Sequence, residues 1–163
     1  MLRLVLAGIV GIVIGLAPGF ALGIFFYPYI FLAGIVASEA VPEGASGKII
    51  AMGDFIHVNT VDPVHWGQGK VSVYEGLVHL ENDFKVGPGP AFHVYLVPKA
   101  EVRAESDVRD SMFVDLGRLK AFEGSQNYQI PKGVNLPDYG SIVIWCEHFG
   151  VLISPATLKA SAS

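Results

Sequence analysis

Hydrophobic and polar positions divide this chain into two unlike parts. From Leu4 to Ala37 there is no charged residue, and Arg3 is the only charged side chain before that block. A helix crosses the bilayer core with about 20 apolar residues. The block therefore predicts one long transmembrane helix, kinked at Pro18, because two passes would leave each arm too short. After Gly47 the pattern becomes alternation broken by Gly and Pro. Strands are expected over 53–60, 69–75, 77–80, 92–97, 113–119, 127–130, 141–146 and 149–153. Turns are expected at Asp62-Pro63, Gly76 and Gly124-Ser125, with a bulge at Gly117. Residues 99–111 carry most of the local charge and read as a mobile loop or one helical turn, and 134–139 as a turn or 3₁₀ piece. Short strands with this punctuation predict an all-β fold, an antiparallel β-sandwich or barrel-like sandwich. The division is an anchor at 1–37, a linker at 38–47, a β domain at 48–158 and a tail at 159–163.

Within the apolar block, Ala7, Gly11, Gly15, Gly19 and Gly23 recur at every fourth position. Positions four apart share one helix face, so these residues form a smooth stripe where a second transmembrane helix can approach closely. The plainer reading is that glycine is common in membrane spans. Pro28 lies between Tyr27 and Tyr29, close to Phe25, Phe26 and Phe31, a cluster suited to the membrane interface. A secretory signal is the competing reading, with Ala37-Ser38-Glu39-Ala40 as its cleavage site, but the run exceeds the usual apolar region of about 7–15 residues. Arg3 on one flank and Glu39 and Glu43 on the other place the start in the cytoplasm and the β domain outside it, in the periplasm of a bacterium.

Composition adds exclusions. Charged residues make up only 16% of the chain and the formal net charge is -4, which gives no basic surface for nucleic acid. One cysteine rules out an intrachain disulfide and a multi-cysteine zinc site. That residue, Cys146, ends the strand 141–146, with Ile142 and Ile144 on its face and Val143 and Trp145 on the other. Both faces are apolar, so the strand is expected to be covered on both sides. A cysteine in such a place can be a small buried hydrophobe, an activated thiol, a metal or haem ligand, a redox sensor or an intermolecular link. His148, His65 and His93 are the candidate partners for its sulfur. No Cys-x-x-Cys-His sequence is present, so covalent c-type haem attachment is excluded. The five histidines show no local metal spacing, and no nucleophile elbow, phosphate loop or acid/base pair appears. The reading leans away from an enzyme.

Several stretches, taken together, resemble the DM-thirteen domain family, the single-cysteine domain found beside DOMON domains. They are Asp54-Phe55, His65 with Gly69-Lys70-Val71-Ser72-Val73-Tyr74, Leu80-Glu81-Asn82-Asp83-Phe84, Gly89-Pro90-Ala91-Phe92-His93-Val94-Tyr95-Leu96, Leu116-Gly117-Arg118-Leu119-Lys120, Gly124 to Pro131, and Ser141 to Phe149. The resemblance implies a β-sandwich, a family cysteine at Cys146, and redox or electron-transfer work through it, as a free thiol or as a haem ligand. Ala91 departs from the acidic residue usual after Gly-Pro, and Trp66 displaces a glycine after the histidine. Two functions follow as expectations. One is a membrane-anchored extracytoplasmic redox domain acting through Cys146. The other is a non-catalytic accessory subunit that meets lipid and a transmembrane protein partner through its glycine stripe.

Overall fold

The computed structural model describes residues 2–27, 30–31, 34–45 and 47–161. Helix α1 (Leu2–Tyr27) continues through Pro18. At about 1.5 Å per residue it is about 39 Å long, more than the ~30 Å hydrocarbon core. Among the described residues it is the one helix long and apolar enough to cross a membrane. Its stripe is open, since a Cβ added at Gly11, Gly15, Gly19 or Gly23 would meet nothing within 4 Å, and Ala7 is exposed. Phe25 and Phe26 meet edge to face, and Tyr27 packs on Phe31, while Pro28 and Tyr29 of the expected aromatic cluster lie outside the described residues.

The remainder is an all-β, sandwich-like domain of two sheets. The first sheet comprises β1 (Val36–Ser38), β2 (Ala51–Asp54), β3 (Gly67–Gln68), β4 (Lys70–Tyr74), β5 (Leu77–Leu80), β6 (Lys85–Val86), β9 (Glu123–Gln129) and β12 (Lys159–Ala160). Its order is β12-β2-β4-β5-β9-β6-β3, with β1 pairing parallel to β9. The second sheet has the order β11-β10-β7-β8, built from β7 (Phe92–Val97), β8 (Val114–Arg118), β10 (Ser141–Cys146) and β11 (Val151–Thr157). Alternation sorts its side chains. Phe92, Val94, Leu96, Ile142, Ile144 and Cys146 join Val71, Val73, Leu80 and Phe84 in the core between the sheets. Tyr95, Val97, Val143, Trp145 and Leu152 form a second cluster on the outer face, covered by Val102 and by Val108 of the single-turn helix α2 (Glu105–Arg109). The strand ending in Cys146 is thus covered on both sides, as its two apolar faces require.

Several boundaries differ from the sequence expectation, each for a visible reason. The strand expected over 53–60 ends at Asp54. Phe55 keeps one bridge to Ala156, and the chain then bends into a turn where the Asp62 carboxylate takes the amides of Val64 and His65. Gly124 is not a turn residue but sits inside β9 at φ +87°. A Cβ there would stand 2.0 Å from the Ala37 carbonyl oxygen, so glycine is what lets β1 lie alongside. The chain after β1 is fastened too. Glu39 accepts from Lys120 Nζ at 2.8 Å and from the Asn127 amide at 2.8 Å, and Asn127 Nδ2 donates to the Ala40 carbonyl. Strand β11 runs through Pro155, which an edge strand tolerates because no ladder bond is needed on its open side.

Candidate functional site: Cys146 and the loop against it

Cys146 is the last residue of β10, opposite Phe92 on β7 and Val151 on β11. The next four residues turn the chain, with the Gly150 amide donating to the Cys146 carbonyl at 2.8 Å and Gly150 at φ +63°. The side chain is 2% exposed among apolar core residues. Its thiol donates to the Pro90 carbonyl at 3.2 Å. Burial pushes the thiol pKa up, and the backbone amides of Phe149 and His148, directed at the sulfur, partly oppose that shift. At neutral pH the group is a protonated S–H.

The segment against the sulfur is the Gly87-Pro88-Gly89-Pro90-Ala91 loop leading into β7. It is held twice at the strand end, by the thiol on Pro90 and by the Glu147 amide donating to the Ala91 carbonyl at 3.1 Å. Ala91 stands at φ 51°, the one positive-φ residue other than glycine among those described. An alanine there is strained by contact of Cβ with the following carbonyl. Gly89 packs so closely on the Phe92 ring that a Cβ would come to 2.4 Å from it.

The three histidines proposed for the sulfur go to different places. His148 is exposed, its ring set edge-on to Phe149 at 5.2 Å, and only its amide reaches Cys146. His65 is engaged by Asp62, Nδ1 donating to Oδ2 at 2.6 Å. His93 pairs with Trp145, so alternation puts its side chain on the face opposite Cys146. There it meets residues that sequence reasoning did not group: Asp115 on β8 and Glu147 in the turn, with Nδ1 3.0 Å from Asp115 Oδ2 and Nε2 3.8 Å from Glu147 Oε2. Tyr95 donates its hydroxyl to Glu147 and stacks on Phe113 at 4.4 Å. Burial first, and then the Glu147 carboxylate, raise the Tyr95 hydroxyl pKa above its ordinary value. The alternation of His93 with Tyr95, and of Trp145 with Glu147, was the available signal. The register joining them was not.

The profile of the electron-transfer DM13 family matches residues 59–158. The chain belongs to this family. Neither the curated proteins nor the solved structures compared with it gave a match. The match spans β3 to β11 together with Cys146, and the sandwich agrees with the fold the resemblance implied.

A haem or metal ligated by the family cysteine does not fit the domain in this conformation. The sulfur faces apolar side chains and the Pro90 carbonyl, without an imidazole or carboxylate beside it among the described residues. On its outer side the loop faces helix α1. Gly19, Gly23 and Tyr27 of α1 and Gly89, Pro90 and Arg118 line an open crevice of about 530 Å³.

Proposed function

We propose that the protein is a membrane-anchored, extracytoplasmic DM13 domain whose redox role runs through Cys146. The family match supports a redox role. The observation that carries the residue is the convergence of the Pro90 carbonyl and the amides of His148 and Phe149 on the only cysteine of the chain. A cysteine that merely fills core space needs no such partners. The chemistry a lone thiol can perform is exchange with a disulfide of a second molecule. The Cys146 S–H gives up its proton, the sulfur bonds to one partner sulfur, the partner's S–S bond breaks, and the released thiolate takes the proton. With the 87–91 loop closed, the thiol is protonated and covered. Displacing the loop gives the sulfur water and a lower pKa. The crevice between this loop and α1 supports exchange close to a membrane surface.

The test is incubation of the full chain, in mild detergent, with glutathione disulfide under native conditions. A stoichiometric mixed disulfide at Cys146, found by mass spectrometry, is expected. A thiol that stays unmodified until the protein is denatured ends the reading. Protease access to the β domain from outside spheroplasts, bounded only by the cytoplasmic membrane, tests the sidedness, and protection there would reverse it.

A second reading, that of an accessory subunit, is favoured by the open stripe of α1, where a Cβ added at Gly15 or Gly19 would meet nothing within 4 Å. Gly15→Leu with Gly19→Leu should remove proteins that co-purify in mild detergent. An unchanged set of partners rejects it.

A further inference from the structure

We infer that His93 and Glu147 bind a divalent first-row transition metal ion, with Asp115 holding the imidazole in place. This site is separate from Cys146, whose side chain lies on the opposite face of the sheet. Three segments build it. His93 comes from β7, Asp115 from β8 on one side and Glu147 from the turn after β10 on the other. The registers of β7 with both neighbours bring them together, so little ordering is left for an ion to impose. The β7–β8 ladder shifts register between His93 and Tyr95, with Gly117 at φ +117°. That shift sets Asp115 opposite Tyr95, and the Gly117 amide holds its Oδ1 at 2.8 Å.

The distances suit an ion better than a closed network of direct bonds. The ligand atoms of the three residues all lie within 4.8 Å of one another. His93 Nε2 and Glu147 Oε2 are 3.8 Å apart, too far for a hydrogen bond. Two atoms each about 2.0–2.2 Å from one Zn²⁺ stand at most about 4.4 Å apart, so a single ion spans the gap. Asp115 takes the other ring nitrogen at 3.0 Å, the position from which a carboxylate fixes the tautomer and orientation of a metal-binding imidazole. Tyr95, 2% exposed and stacked on Phe113, occupies Glu147 Oε1 and leaves Oε2 turned toward His93.

Charge points the same way. Elsewhere in the domain Asp54, Asp107, Glu39 and Glu123 each pair with a lysine. Among the described residues, Asp115 and Glu147 have only the one imidazole between them. A dication offsets that excess. The side chains of His93, Asp115 and Glu147 are 19%, 38% and 45% exposed, so water can complete the coordination sphere. An imidazole with carboxylate oxygen selects ions such as Zn²⁺ over Mg²⁺ or Ca²⁺.

The test is calorimetric titration of the full chain in detergent with Zn²⁺ alone, chosen because it is redox-silent. Saturable one-to-one binding is expected. His93→Gln and Glu147→Gln should each weaken it at least tenfold, and Asp115→Asn about tenfold or more, while Cys146→Ala binds as the parent does. Thermal melting without metal checks that each variant folds, and Glu147→Gln retains an acceptor for Tyr95. Absence of saturable binding up to about 1 mM overturns the inference. So does binding that survives His93→Gln or is lost in Cys146→Ala. Unchanged affinity in Asp115→Asn overturns the role given to that residue.

Discussion

Adding one methyl group at Gly89 should uncover Cys146. The new Cβ would lie 2.4 and 2.6 Å from two atoms of the Phe92 ring, far inside van der Waals contact. Phe92 has little freedom to yield. It is 5% exposed, it packs edge-on against Phe122 at 5.9 Å, and its backbone is paired with Cys146. The loop must therefore lift. Overpacking of this kind costs about 1–3 kcal/mol. If lifting the loop releases that strain, the open fraction rises about 5- to 150-fold. Maleimide labelling of the single thiol in the folded full chain reads this directly, because the rate follows the open population when closing is fast. Low denaturant separates loop opening from global unfolding, since a local event exposes little surface and its rate barely responds. Ala91→Gly works in the opposite sense. It relieves the φ 51° strain of the closed loop and should slow labelling by a factor of a few. A Gly89→Ala rate within twofold of the parent would refute the argument that this loop guards the sulfur.

Two further outcomes test the scaffold. Gln126 is fully buried. Its Oε1 accepts from the amides of Lys120 and Ala121 and from the Tyr128 hydroxyl, and its Nε2 donates to the Ala121 carbonyl. Gln126→Ala strands several of these groups and should cost at least about 3 kcal/mol in urea denaturation, whereas a loss under 1 kcal/mol would mean the network carries little. Acid should destabilise the domain through Asp62 and Asp107. A hydrogen bond from His65, followed by the amides of Val64 and His65, lowers the Asp62 pKa to about 2, and Lys99 followed by the Arg103 amide lowers Asp107 to about 2. Both values lie below the ordinary 3.8. The stability they contribute is therefore present above about pH 4 and lost as pH falls toward 2. The melting temperature should drop over that interval, and less so in Asp107→Asn. A melting temperature that stays flat there would remove both carboxylates from the account.

Much of the domain was legible in advance because a half-buried strand writes its own period. Lys70–Tyr74, Leu77–Leu80, Phe92–Val97 and Ser141–Cys146 lie where alternation and Gly/Pro stops put them. Strand β9 was caught only in part. Gly124 reads locally as a turn, and nothing nearby reveals that Ala37, far away in sequence, comes alongside it. The site was half legible. Cys146 stood out as the lone cysteine, at the end of an apolar strand, but its partners are backbone groups, which carry no mark in a sequence.

The sequence by itself determined the membrane-length helix with its glycine stripe, the β class and the cysteine, since each rests on a local period or a residue type. Tertiary structure alone decided what those residues meet. Strand order placed β7 between β8 and β10. That register turned His93 away from the sulfur and toward Asp115 and Glu147. Pairing between distant strands follows from how both faces of a sheet bury their apolar side chains at once. No short window of the chain contains that information.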